Sequence, residues 1–181
     1  MKKRNLGVLG PVGSGKGIAA KYIARKYGYN ILVMGNIVRA LAKREKIKPT
    51  RDNLEHLQAK YAKKYHTDYI MKLALEKAMK SKKPVIIDGI RKPIQAKLAR
   101  QKLKAKLILV DASPEIRFER MKKRRRKGFS KTLKDFIRVE KNEQKFFNLK
   151  RTFSMADFRV DNSNGKKYLL KQLDQIMKKL K

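Results

Sequence analysis

Eight residues near the start of the chain, Gly10-Pro11-Val12-Gly13-Ser14-Gly15-Lys16-Gly17, have the composition and spacing of a loop that holds phosphate. Glycines let successive backbone N–H groups turn inward on an anion. A lysine at the end of such a loop supplies a point charge for the outer phosphates. The plain alternative is a glycine-rich turn with a surface lysine, and the flanking strand and helix signals weigh against it. The next position usually carries a hydroxyl that ligates magnesium; here it is Gly17, followed by Ile18. Further along, Asp88 closes an apolar run and precedes Gly89. A carboxylate there can hold magnesium beside a phosphate loop, or simply cap a turn; the loop favours the metal role.

Arginines supply the rest of the candidate chemistry. Arg39 and Arg91 each follow a predicted strand end within a few residues, so both project near one edge of a sheet. Guanidinium groups grip phosphate in bidentate fashion, and two of them suit the phosphate of an acceptor. Arg117, Arg120 and Arg124 share a helical face by their spacing, with Arg125 and Arg126 adjoining. That cluster either closes over a transferring phosphoryl group or forms a solvated basic face that contacts RNA. His56 and His66 have no metal-ligand company. Phosphoryl transfer needs positioning and charge more than a general base.

These residues need elements to carry them. Leu6 to Leu9 predicts a buried strand, and Gly17 to Tyr27 a helix with Ala19, Tyr22, Ile23 and Tyr27 on one face, closed by Gly28. Asn30 to Met34 is a second strand, and Gly35 and Asn36 open a helix to about Lys46. Beyond the break at Pro49, Thr50 or Asp52 caps one helix and Thr67 or Asp68 another. This helical stretch to about residue 82 lies between strands, as a substrate-side insertion would. Pro84 to Asp88 and Leu107 to Val110 read as strands buried on both faces. Helices follow from Lys92, Ser113 and Ser130, then a strand at Phe158 to Asp161, then a helix striped by Leu169, Leu173, Ile176 and Leu180. Alternating strands and helices predict an α/β fold with a mainly parallel sheet covered on both faces. Ligands in such sheets bind beyond the carboxyl ends of the strands, where Gly10, Gly35, Asp88 and Asp111 all fall.

The 181 residues suit one ordinary domain, and 41% hydrophobic content is enough for a real core. Without cysteine there is no disulfide framework and no cysteine-based zinc site. No apolar run reaches the length of a membrane span, so a cytoplasmic chain without a membrane partner is the expectation. Fifty Lys and Arg against fifteen Asp and Glu leave a net charge of +35. Such a chain is drawn to polyanions, RNA and DNA included, without sequence preference.

With these residues in view, the chain resembles the nucleoside monophosphate kinases with their phosphate-binding P-loop, most closely the archaeal-type adenylate-kinase-related and dephospho-CoA-kinase-like proteins. The Gly15-Lys16-Gly17 loop ending is similar to that of adenylate kinases, although Ile18 stands where they place Thr. Gly35-Asn36-Ile37-Val38-Arg39 resembles their Gly-Asp-x-x-Arg segment, with Asn36 replacing the acid, and Asp88-Gly89-Ile90-Arg91 resembles Asp-Gly-x-Pro-Arg, one residue shorter. Ala156-Asp157-Phe158 with Asp161-Asn162-Ser163 looks like a closing segment shared with dephospho-CoA kinases. The resemblance implies a three-layer P-loop kinase sandwich with a five-stranded sheet, an acceptor-binding helical region at about 35–82 and a short basic lid at about 122–132, all in one domain, as a monomer or homodimer. It implies ATP and magnesium as donor and metal, with residues 10–18 and Arg120 on the donor. Gly35, Arg39, Asp88 and Arg91 would lie on the acceptor. Gln95 would read the acceptor adenine, and Arg120, Arg124 and Arg138 would steady the moving phosphoryl. The implied activity is ATP-dependent phosphorylation of a nucleoside monophosphate, AMP favoured. Dephospho-CoA as acceptor and an RNA- or ribosome-associated ATPase are the alternatives.

Overall fold

The three central strands of a five-stranded sheet are short apolar runs hidden from water, and the strands lie side by side in the order β2-β3-β1-β4-β5, every pairing parallel. The computed structural model describes residues 3–65, 68–124 and 130–180. Within them the elements run β1 (Leu6–Leu9), α1 (Lys16–Tyr27), β2 (Asn30–Val33), α2 (Met34–Arg44), α3 (Arg51–Tyr65), α4 (Tyr69–Met79), β3 (Val85–Asp88), α5 (Pro93–Leu103), β4 (Lys106–Asp111), α6 (Pro114–Lys123), α7 (Leu133–Phe147), α8 (Leu149–Ser154), β5 (Phe158–Asp161) and α9 (Lys166–Lys179).

Because strand side chains alternate between faces, each buried strand feeds two cores. Leu6, Val8, Ile86, Ile108, Val110 and Val160 pack with Ala19 and Ile23 of α1 and Leu169 and Leu173 of α9. Leu9, Val85, Ile87, Leu107 and Leu109 pack on the other side with residues of α2, α4 and α5. The expected α/β fold, with a parallel sheet covered on both faces, is the one observed. A third cluster, Phe118, Met121 and Phe136, joins α6 to α7.

Local chemistry sets the helix starts. Asp68 accepts a hydrogen bond from Met71 N at 2.9 Å and Ser113 one from Ile116 N at 3.4 Å. Thr132, not Ser130, caps α7 by accepting from Asp135 N at 3.1 Å. Asn148 adopts a left-handed conformation, φ 52°, and starts the short α8 that sequence periodicity did not separate. The α3–α4 corner is pinned by three near-parallel tyrosine rings. Tyr65 and Tyr69 have centroids 4.3 Å apart and Tyr61 and Tyr69 4.9 Å. Among the described residues no helix is long and apolar enough to cross a membrane. Residues 125–129 of the expected lid at 122–132, Arg125 and Arg126 among them, lie outside the described residues.

Leu173 is fully buried between α9 and the sheet. Leu173→Ala should cost about 2–5 kcal/mol, the usual range for such a cavity. Urea unfolding followed by circular dichroism would check it.

Candidate active site

The sheet order places β1 centrally, between β3 and β4, so the loop that follows it is enclosed from several sides. Gly10, Gly13 and Gly15 all have positive φ, at 149°, 83° and 96°, a region other residues avoid. Space forbids a side chain at each as well. A Cβ on Gly10 would lie 2.2 Å from the Val110 carbonyl oxygen, one on Gly13 2.7 Å from that of Arg117, and one on Gly15 2.2 Å from Asn162 Nδ2. The loop is thus gripped by β4, by α6 and by the segment after β5. Asn162 completes the grip: its Nδ2 donates to Ser14 O at 2.7 Å, and its own carbonyl accepts from Arg120 Nη2 at 2.7 Å.

Lys16 opens α1 and donates from Nζ to Pro11 O at 3.1 Å. Loss of hydration and the nearby Arg91 push its pKa down to about 8, against the opposing pull of Asp88 and Glu143. Asp88 ends β3, paired in register with Val8 and Val33. Burial raises its pKa, while Lys16 and Arg91 hold it down in part. Gly17 leaves room beside it: a Cβ there would sit 3.8 Å from Asp88 Oδ2. Among the described residues, Ser14 Oγ, Asp88 Oδ1, Arg120 Nη1 and Asn162 Oδ1 are buried polar atoms with no hydrogen-bond partner in the protein. Buried polar groups are normally satisfied, and all four lie on the loop or on residues around it. Arg120 and Arg124 border a cavity of about 250 Å³ beside Gly13, Gly15, Asn162 and Lys166.

The structure therefore brings Lys16, Asp88, Arg91, Arg120 and Arg124 toward one loop. Arg39 is exposed on α2, its guanidinium donating to Asn36 Oδ1 and lying 3.3 Å from where a Gly35 Cβ would be. Three expectations need correction. Gln95 does not present its amide to a base. It is 3% exposed, its Oε1 accepts from the backbone N–H of Arg91 and Lys92 at 2.9 and 3.2 Å, and its Nε2 donates to Asp68 at 2.9 Å. Arg138 stays out of the site, its side chain 74% exposed and paired with Asp135 on the solvent face of α7. Arg117 does not share an open face with Arg120 and Arg124. It is buried, gripped by both carboxylate oxygens of Glu140, and donates to Ala112 O at 2.8 Å.

Sequence reasoning missed Glu143 and Asn162 as parts of the site. Glu143 recurs at helical spacing with Phe136, Glu140 and Phe147, an acid on an otherwise inward stripe. Asn162 directly follows a strand, where ligand-side residues gather.

A parallel five-stranded sheet with this loop after its central strand defines a P-loop protein of kinase-like fold. Residues 9–138 match the family described as AAA domain. The chain is 32% identical over 178 residues to a UPF0200 protein of Methanocaldococcus jannaschii, covering 97% of this chain and 89% of that one. It is 33% identical over 157 residues to a UPF0200 protein of Hyperthermus butylicus, covering 86% and 83%. The chain belongs to the UPF0200 family. Its fold is similar to that of shikimate kinase from Bacteroides thetaiotaomicron, with a TM-score of 0.64, 14% identity and 98% coverage of both chains. A gluconokinase from Sinorhizobium meliloti matches at a TM-score of 0.59 and 17% identity, covering 98% of this chain and 95% of that one.

Two outcomes follow. Gln95→Leu removes an acceptor from two backbone donors and a donor from buried Asp68. It should cost about 1–3 kcal/mol per group left unsatisfied, seen as a lower midpoint in thermal unfolding. For Lys16, a bound polyphosphate restores the charged form that dehydration disfavours. With the pKa of the free protein near 8 and that of a complex higher, binding of a polyphosphate such as inorganic triphosphate should take up a proton between these values and weaken as pH rises through them. Calorimetry at pH 8.5 in two buffers of different ionisation heat should show the uptake, and Lys16→Met should abolish it.

Proposed function

We propose that the chain is an ATP-dependent kinase that passes a phosphoryl group to a nucleoside monophosphate. The observation that carries this reading is the gathering of Lys16, Arg91, Arg120, Arg124 and Asp88 around one backbone-lined loop. Four like charges kept this close repel one another unless an anion joins them, and a polyphosphate is the anion such a loop suits. In this reading residues 10–18 hold the donor phosphates and Lys16 neutralises the outer ones. Arg120 and Arg124, beside the 250 Å³ cavity, serve the donor nucleoside and the moving phosphoryl. Arg91 and Arg39 take the acceptor phosphate. AMP remains the favoured acceptor on resemblance alone, because Gln95 is committed to Asp68 and the α5 turn.

Magnesium fits this site through Asp88. The carboxylate is a hard oxygen donor with one buried oxygen, Oδ1, lacking a protein partner, and no side chain at Gly17 crowds the other. Among the described residues no cluster of three or more acids or histidines surrounds it, which suits an ion that keeps most of its water and leans on substrate phosphates. When bound, magnesium would neutralise charge on the phosphates.

Asp88 also supports a second reading, a hydroxyl acceptor such as dephospho-CoA. A dehydrated carboxylate with raised proton affinity is suited to take the proton of an attacking hydroxyl.

The test is kcat/KM with ATP and magnesium for AMP, CMP, GMP, UMP and dephospho-CoA at fixed salt, together with single-stranded RNA binding across a salt series. Turnover of a monophosphate supports the first reading and turnover of dephospho-CoA alone the second. RNA-stimulated ATP hydrolysis without any acceptor would replace both with an RNA-linked ATPase. Lys16→Ala should lower turnover about 10³-fold, in line with the loss of one preorganised charge, with the fold retained by circular dichroism. Wild-type turnover in that variant would remove the loop from the mechanism.

A further inference from the structure

Helix α7 offers the site two carboxylates, and each meets a different arginine. Glu140 takes Arg117, which comes from α6. Arg117 is the residue whose backbone presses on Gly13, and its Nη1 also donates to Val12 O at 3.4 Å. Phe136, one turn earlier on α7, lies under the same guanidinium, 5.6 Å from ring centroid to Cζ. The arrangement repeats further along. Glu143 Oε1 lies 3.6 Å from Arg91 Nη1, and Phe147, one turn later, lies under that guanidinium at 5.3 Å. One helix thus carries two acid–aromatic pairs, each holding one arginine, along the stripe 136, 140, 143 and 147.

The two arginines differ in what they leave open. The Arg117 side chain is 5% exposed and fully enclosed, whereas that of Arg91 is 41% exposed while Glu143 is only 11% exposed. An arginine that open has several rotamers to choose from and loses side-chain entropy when a ligand orders it. Glu143 and Phe147 restrict that choice before any ligand arrives. A carboxylate this close to a phosphate site repels phosphate, and its charge reaches Lys16 as well. Its ion pair with Arg91 offsets part of that penalty and ties the acid to the cation beside it.

We propose that α7 is a common strut for the two halves of the site, with Glu140 and Phe136 fixing Arg117 under the phosphate loop and Glu143 and Phe147 pre-orienting Arg91. Glu143 and Phe147 are then positioning residues that act through Arg91. The catalytic half of this inference rests on Arg91 binding the acceptor phosphate; the holding of Arg91 does not.

Two measurements separate these. The first needs no substrate: nitrogen-15 relaxation of the arginine Nε–H signals, assigned with Arg91→Lys and Arg117→Lys. Wild type should show both signals ordered. Glu143→Gln should mobilise Arg91 and leave Arg117 ordered, and Phe147→Leu should do the same more weakly. An Arg91 signal as ordered in Glu143→Gln as in wild type overturns the proposal. The second is kinetic, with ATP and the acceptor of highest kcat/KM from the panel above. Glu143→Gln should raise acceptor KM about tenfold, the effect of ~1.4 kcal/mol of lost preorganisation, and change ATP KM less than about twofold. In an Arg91→Ala background Glu143→Gln should add nothing. Penalties that multiply in the double variant overturn the positioning role. If Arg91→Ala by itself leaves acceptor kinetics unchanged, the acceptor reading fails, and the relaxation data still decide whether α7 holds Arg91.

Discussion

Three close backbone approaches, at Gly10, Gly13 and Gly15, set the shape of everything around the loop. The neighbours at these points are a β4 carbonyl, the α6 backbone and the side-chain amide of buried Asn162; the first two cannot retreat without moving an element of the core, and the third is tied to the loop by its bond to Ser14 O. The loop therefore has little freedom to relax, and its amide groups are held in place before a ligand binds. Such prior ordering is what electrostatic stabilisation of a transferring group requires. The constraint also explains why β1 is central. Only a strand flanked on both sides can deliver its following loop into a position enclosed by β4, α6 and the turn after β5.

Charge is the counterpart of that rigidity. Lys16, Arg91, Arg120 and Arg124 gather with the carboxylates of Asp88, Glu143 and Asp161 as nearby opposites. Burial depresses the pKa of Lys16 most, and the charges of Arg91 and Arg124 add to it. In the proposed function, a polyanion placed among these cations would both restore charge stabilisation lost on burial and lessen their mutual repulsion. The overall charge of +35 acts at longer range and is screened by salt, so it brings anions near without selecting among them.

Legibility followed the range of the interaction. The loop could be read because its glycines and lysine lie within eight consecutive residues. The strands could be read because Val85-Ile86-Ile87 and Leu107-Ile108-Leu109 are apolar at every position, as strands buried on both faces must be. Gln95 could not, because its partner Asp68 sits 27 residues away on the cap of another helix. Arg138 misled for a related reason. Its position along α7 suited a phosphate contact, but which face of α7 turns inward is decided by Phe136 and Phe147 packing, and they place it outside. Glu143 belongs to the inward face for the same cause, and an acid in a lysine-rich helix carries no local mark of burial.

The tyrosine corner between α3 and α4 has an optical consequence. The chain has no tryptophan and seven tyrosines, and three of them, Tyr61, Tyr65 and Tyr69, lie within 6 Å of one another with ring planes tilted by at most 16°. Rings this close and this nearly parallel couple their transitions. The near-ultraviolet circular dichroism of the protein is therefore weighted toward one corner of the helical insertion. A shift of α4 against α3 would register there as a change in ellipticity without any label.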